Sequence, residues 1–219
     1  MTTARIGFAA LATAAALALV ACGDSGGAGI EITADDRTMG DPNAPVTVVE
    51  YASITCSACK AWHDQVYHDF KEQLVDTGKV RFVFRELPTA PIDVSVAGFL
   101  VARCAPEPRY FNVLDTLFDR QERLFTAQAR DELVAIARAA GLSDEDFNAC
   151  IRDEEAIEAM NARIEEGTTR YRVSSTPTFV INGEVIVGAQ PLSVFQEAVA
   201  EATGEPMPAA EPEETPAEG

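Results

Sequence analysis

Hydrophobic spacing along the chain changes period several times, and each change marks an element. Residues 46–51 (VTVVEY) form a nearly continuous β-branched run behind Pro45, the pattern of a short strand buried on both faces. Over 57–76 the apolar residues Cys59, Trp62, Val66, Phe70 and Leu74 instead recur every three or four positions, which predicts a helix that Gly78 stops. Residues 80–87 (VRFVFREL) return to alternation and end at Pro88. Strand, helix and strand in this order make a βαβ unit, with parallel strands and a right-handed crossover. Residues 93–172 then carry helical spacing throughout, with segments expected at 94–104, 109–123, 129–140, 144–152 and 154–172, and with Pro106, Gly141 and Ser143 as breaks or caps. Next comes a hairpin, strands 178–182 and 184–187 around Asn182-Gly183, and then a helix over 192–203. The β-rich parts flank a long helical block, so an α/β sheet domain with an inserted helical domain is expected.

The ends differ from this body. Residues 6–21 are apolar and rich in Ala and Leu behind a single positive charge, Arg5. Such a run is shorter than the about 20 residues of a membrane span and suits the apolar core of a secretory signal peptide. It closes on Leu19-Val20-Ala21-Cys22, with a bulky Leu where an ordinary cleavage site has a small residue. That tetrad resembles the bacterial lipoprotein signal, which implies a signal peptide over 1–21 and lipidation of Cys22. An uncleaved anchor, or a plain signal with a chance Cys, are the alternatives. Residues 22–39 read as a flexible tether, and 204–219, with Pro and Glu but no Lys or Arg, as a disordered acidic tail.

The composition, 47% hydrophobic and 24% charged over 219 residues, is that of a globular protein. Lys+Arg 17 against Asp+Glu 35 give a net charge of −18, and the acidity extends into the body. This sign opposes binding to a phosphate backbone, so no nucleic-acid partner is expected. Attachment to a bilayer would rest on acyl chains on Cys22, at about 0.8 kcal/mol per buried CH₂, and not on charge.

Five cysteines remain the informative count: Cys22, Cys56, Cys59, Cys104 and Cys150. Cys56-Ser57-Ala58-Cys59 falls where the first strand gives way to the first helix. There the unpaired N–H groups and positive dipole end of the helix favour a thiolate on Cys56, and Cys59 lies one turn on, within its reach. Such a pair can cycle between dithiol and disulfide through a mixed disulfide that Cys59 resolves. An inert disulfide, or half of a zinc site completed by His63 or His68, would use the same residues. Zinc is disfavoured because no second closely spaced ligand pair occurs elsewhere, and the two histidines, roughly 140° apart round a helix, are read as surface or partly packed residues. No metal and no dissociable cofactor are expected beyond the redox-active Cys56–Cys59 disulfide.

A second motif lies far downstream, Thr176-Pro177 directly before the hairpin strand Thr178-Phe179-Val180-Ile181. Together with the strand–CxxC–helix start it resembles the thioredoxin fold. Gly40-Asp41-Pro42-Asn43-Ala44-Pro45-Val46-Thr47-Val48-Val49-Glu50-Tyr51, leading into Thr55-Cys56-Ser57-Ala58-Cys59, resembles more narrowly the DsbA-like thiol:disulfide oxidoreductases. The resemblance covers about residues 40–203 and implies a thioredoxin-like fold split into 40–92 and 173–203 by a helical insertion over 93–172. It implies Cys56 as the exposed nucleophile, Cys59 as the resolving thiol and Pro177 as a cis-proline beside them. Thr176 would offer its backbone to an extended substrate, and Glu50 would be a buried acid that relays the Cys59 proton. A charge at the strand end reaching solvent is the plainer reading of Glu50, and Trp62, Phe70 and Phe179 are read as core.

Two features depart from the group. Ser57-Ala58 brings neither an imidazole nor a ring between the cysteines, which points to weaker oxidising power. The isomerase branch needs a separate dimerisation domain, which 22–45 is too short to supply. In an oxidising compartment Cys104 and Cys150 are expected to pair as a structural disulfide closing the insertion, with an electron relay or two reduced core thiols as alternatives. The expectation is therefore a monomeric, exported protein of the periplasm or cell envelope, lipid-anchored, that introduces disulfides into reduced or unfolded exported proteins and is recycled by a membrane redox partner. A reductase on the same site, a non-catalytic chaperone or binding lipoprotein, and metal handling through Cys56 and Cys59 are the alternatives.

Overall fold

The computed structural model describes residues 30–206. Five strands form one sheet: β1 (Arg37–Met39), β2 (Val46–Ala52), β3 (Val80–Glu86), β4 (Thr178–Ile181) and β5 (Glu184–Val187), in the order β1-β3-β2-β4-β5. Only β2 and β3 are parallel; the other pairs run antiparallel. Their crossover is helix α1, residues 57–75, whose winding passes twice into a π-helix, at His63–Tyr67 and Lys71–Val75. Between β3 and β4 lie α2 (Ile92–Cys104), α3 (Tyr110–Asp119), α4 (Gln121–Leu124), α5 (Ala129–Ala139), α6 (Asp144–Cys150) and α7 (Glu154–Arg170). Helix α8 (Leu192–Thr203) closes the body on the sheet. The sheet domain interrupted by helices is the architecture the periodicity predicts. Asn182 and Gly183 both take positive φ, 49° and 94°, and so make the tight hairpin turn between β4 and β5.

Two buried charged networks bind the insertion and the leading segment to the sheet. Arg85 on β3 donates to both oxygens of Asp36 at 2.9 Å, to Tyr51 Oη at 2.9 Å, to Glu166 on α7 at 3.1 Å and to the Glu31 carbonyl at 2.8 Å. Its neighbour Glu86, buried, accepts from Arg103 on α2 at 2.8 Å and from Tyr110 Oη on α3 at 2.9 Å, with Arg163 on α7 at 3.5 Å. Helix α7 crosses so closely that a Cβ on Gly167 would meet Tyr51 Cε1 at 2.5 Å.

The first network overturns one expectation. Residues 30–39 of the predicted tether are packed structure: β1 pairs with β3, Asp36 is buried, and Ile30 and Ile32 pack against the buried cluster that includes Val49, Val83 and Val180. An isolated Asp reads as a linker residue until a distant cation, here Arg85, neutralises it. The predicted signal peptide, Cys22 and most of the predicted acidic tail lie outside the described residues. The other expected elements agree to within two residues at each end, except that the single helix expected over 109–123 is broken at Arg120 into α3 and α4.

Candidate active site

Cys56 caps the N-terminus of α1 with extended backbone angles, φ −91° and ψ 123°, so its sulfur sits where the first N–H groups of the helix have no partner. Its side chain is half-buried and Cys59 is fully buried, one turn into the same helix. From the start of β4, the strand beside β2, the Thr176–Pro177 peptide, which is cis, brings the Thr176 carbonyl within 3.3 Å of Cys56 Sγ. The residues that sequence reading placed together, Cys56, Cys59, Thr176 and Pro177, therefore meet at one place although about 120 positions separate them.

The two thiols are displaced in opposite directions. The Cys59 thiol, donating to Cys56, outweighs the cost of burial, and with Thr176 and the N–H groups of Cys59 and Ala58 it lowers Cys56 to about 5. Burial pushes Cys59 well above the usual thiol range, reinforced by Cys56 and by the charge of Glu50. Near neutrality the pair is one thiolate and one thiol, held for exchange at Cys56 and protonated at Cys59.

Glu50 lies in the middle of the sheet on β2, opposite Phe179 on β4 and Phe84 on β3, and is only 3% exposed. Burial, then the Cys56 charge, raises its carboxyl to about 8. The plain reading of a strand-end charge reaching solvent is thus overturned: the β2 strand is covered on both faces, and Glu50 holds a proton at neutral pH. Trp62, Phe70 and Phe179 are core, and Trp62 Nε1 donates to the Gln190 carbonyl at 2.9 Å.

Three findings go beyond the sequence reading. Gln121, at the start of α4 and buried, donates from Nε2 to the Ile54 carbonyl at 2.8 Å and the Cys56 carbonyl at 3.0 Å, so the insertion braces the loop that carries the nucleophile. No periodicity marks it, because it depends on the break at Arg120. Thr55 and Ser53 extend that brace to Thr89 through hydroxyl contacts of 2.9 and 3.1 Å. His63, read as a surface or partly packed residue, is 3% exposed, because the π turn carries His63 and Tyr67 inward and leaves Val66 half-buried. His63 Nε2 meets Asp115 at 3.2 Å and His68 is exposed, and no converging metal-ligand group among the described residues includes Cys56 or Cys59. Cys104 and Cys150 are bonded to each other across 46 positions, with Cα atoms 6.3 Å apart, joining α2 to α6.

A thioredoxin family model matches residues 33–201. A Rickettsia bellii protein named "Putative protein-disulfide oxidoreductase" is 26% identical over 155 residues, covering 70% of this chain and 59% of that protein. The chain thus spans a little under three fifths of the length of the first such Rickettsia relatives. Disulfide bond formation protein D of Bacillus subtilis is 24% identical over 156 residues, 68% of each. The crystal structure of alpha-DsbA1 of Wolbachia pipientis superposes with a TM-score of 0.71 at 25% identity, covering 79% of this chain and 93% of that one. That likeness makes the fold a thioredoxin fold with a helical insertion. No helix among the described residues is long and apolar enough to cross a membrane.

Proposed function

The chain belongs to the thioredoxin family, and from this we propose that it is a DsbA-like thiol:disulfide oxidoreductase, exported and held at a membrane, that introduces disulfides into other exported proteins. In this cycle a substrate thiolate attacks Cys56 of the Cys56–Cys59 disulfide. The S–S bond breaks, a mixed disulfide forms on Cys56, and Cys59 leaves and takes a proton from Glu50. A second substrate thiolate then attacks the substrate sulfur, releasing Cys56 as the thiolate. Two electrons pass to the protein, and a membrane redox partner removes them. Partly unfolded chains would lie extended against Thr176 beside Pro177, where a backbone carbonyl already faces Cys56. Lipidation at Cys22 would supply the tether.

The observation that carries this reading is the opposite displacement of the two thiols beside Thr176–Pro177. Cys56→Ser is expected to abolish oxidation of a reduced test protein, and Cys59→Ser to accumulate mixed disulfides with it. Full turnover in Cys56→Ser would sink the enzyme and leave a binding role. The Ser57-Ala58 pair favours a second reading, a reductase, because it supplies no imidazole to the thiolate. A Cys56–Cys59 potential near about −120 mV would mark the oxidase, and one near about −270 mV the reductase.

A further inference from the structure

A proton held on Glu50 must be exchanged with solvent once in every cycle, yet Glu50 is 3% exposed and packed within the sheet. A small cavity of about 10 Å³ touches it, room for the centre of one water, and His63, Tyr67 and Asp115 also line that cavity. The remaining walls are mostly aromatic, so few polar groups can carry a proton onward. His63 lies stacked between Tyr67 and Phe118, with ring centroids 4.9 Å away on each side. Its Nε2 meets Asp115 Oδ1 at 3.2 Å, its Nδ1 lies 3.7 Å from Asp64 Oδ1, and the His68 ring packs edge-on at 5.2 Å. Both carboxylates reach solvent, at 36% and 44% exposure. Tyr67, Phe111 and Asp115 also bound an open pocket of about 400 Å³ at the surface, with Arg37 and Lys71 on its rim.

We propose that Glu50 exchanges its proton with solvent through the cavity water, the His63 imidazole and Asp115, and not through the mouth at Cys56. The inference rests on the relay role of Glu50 given above. When Cys59 leaves as a thiolate, the Glu50 carboxyl gives it a proton. The carboxylate left behind takes a proton from the cavity water as that water receives one from the His63 imidazole. Solvent then recharges the imidazole past Asp115. Recycling of the disulfide runs the same transfers in reverse, and electrons move only in the sulfur exchange. His63 touches no substrate and acts through Glu50.

A proton path alters rates and leaves the equilibrium between dithiol and disulfide where it was, and this separates it from packing. The test is the stopped-flow rate of exchange with a reduced peptide across pH, together with the equilibrium potential against glutathione, for His63→Phe, Asp115→Asn and Glu50→Gln. His63→Phe keeps an aromatic ring in the slot; it is expected to slow the step that protonates Cys59 by about 10- to 100-fold, with an unchanged potential. Asp115→Asn is expected to slow the same step. In His63→Ala, which opens space for it, added imidazole is expected to restore part of the rate. A His63→Phe rate equal to wild type, alongside a slow Glu50→Gln, would overturn the path and leave the Glu50 relay standing. A wild-type rate in Glu50→Gln would remove the relay beneath both. A potential that moves with the rate in His63→Phe, without imidazole rescue in His63→Ala, would assign His63 to packing and overturn the path.

Discussion

Reducing the Cys56–Cys59 disulfide should stabilise this fold by an amount that grows with pH. Cys56 is lowered to about 5 from an ordinary 9.0, so in the reduced protein the folded state sheds the proton before the unfolded state does. Stability from this group is therefore complete above pH 9 and lost as pH falls to 5. At pH 7 the ionisation accounts for two pH units, about 2.7 kcal/mol, or about 2 kcal/mol after discounting for the partial exposure of the sulfur. The oxidised protein lacks the term, while Glu50 titrates in both forms and largely cancels from their difference. Urea unfolding of both forms from pH 5 to pH 8 measures that difference directly, and absorbance of the thiolate near 240 nm reports the ionisation independently. The gap should move in favour of the reduced form by about 2 kcal/mol between pH 5 and pH 7, equivalent to about 40 mV in potential. A gap that stays flat, or that widens toward acid, would refute the claim that a Cys56 thiolate stabilises the reduced state.

Arg85→Met would leave the buried Asp36 carboxylate without its cation and should cost about 3–5 kcal/mol in urea unfolding; Asp36→Leu combined with it should recover most of that loss, and a single variant as stable as wild type would contradict the buried pairing. Gln121→Leu leaves the Ile54 and Cys56 carbonyls unpaired, so a loss of about 1–3 kcal/mol together with slower exchange at Cys56 is expected. An unchanged exchange rate would free the insertion of any part in holding the nucleophile. The double variant Cys104→Ala/Cys150→Ala opens a loop of 46 positions, with an expected loss of about 4 kcal/mol and unchanged chemistry at Cys56. Slowed chemistry at constant stability would instead favour the electron relay.

Much of this molecule is legible in local pattern. The β2 and β3 runs, the hairpin at Asn182-Gly183 and the helices over 129–139 and 192–203 sit where period and turn chemistry put them, because those signals depend on neighbours in the chain. The Cys56-Ser57-Ala58-Cys59 motif is legible for the same reason: a helix N-terminus acts on whatever residue occupies it. Residues 30–39 were not legible, since a three-residue strand shows no periodicity and Asp36 becomes a core residue only through Arg85, 49 positions away. His63 was hidden by a π turn, which shifts the inward face by a residue that an even helical period does not anticipate.

The sequence by itself determined the order of elements, the helix that opens on Cys56 and the pairing of chemistry with a Thr-Pro strand start. Tertiary structure alone decided which groups lose water, and that decided their protons: Glu50 is protonated because two neighbouring strands and the helices over them exclude solvent, and Cys59 stays a thiol because it is buried beside that carboxyl. Periodicity is written in the chain because each residue's direction follows from local geometry. Desolvation is not, because it is set by atoms that arrive from elsewhere in the fold.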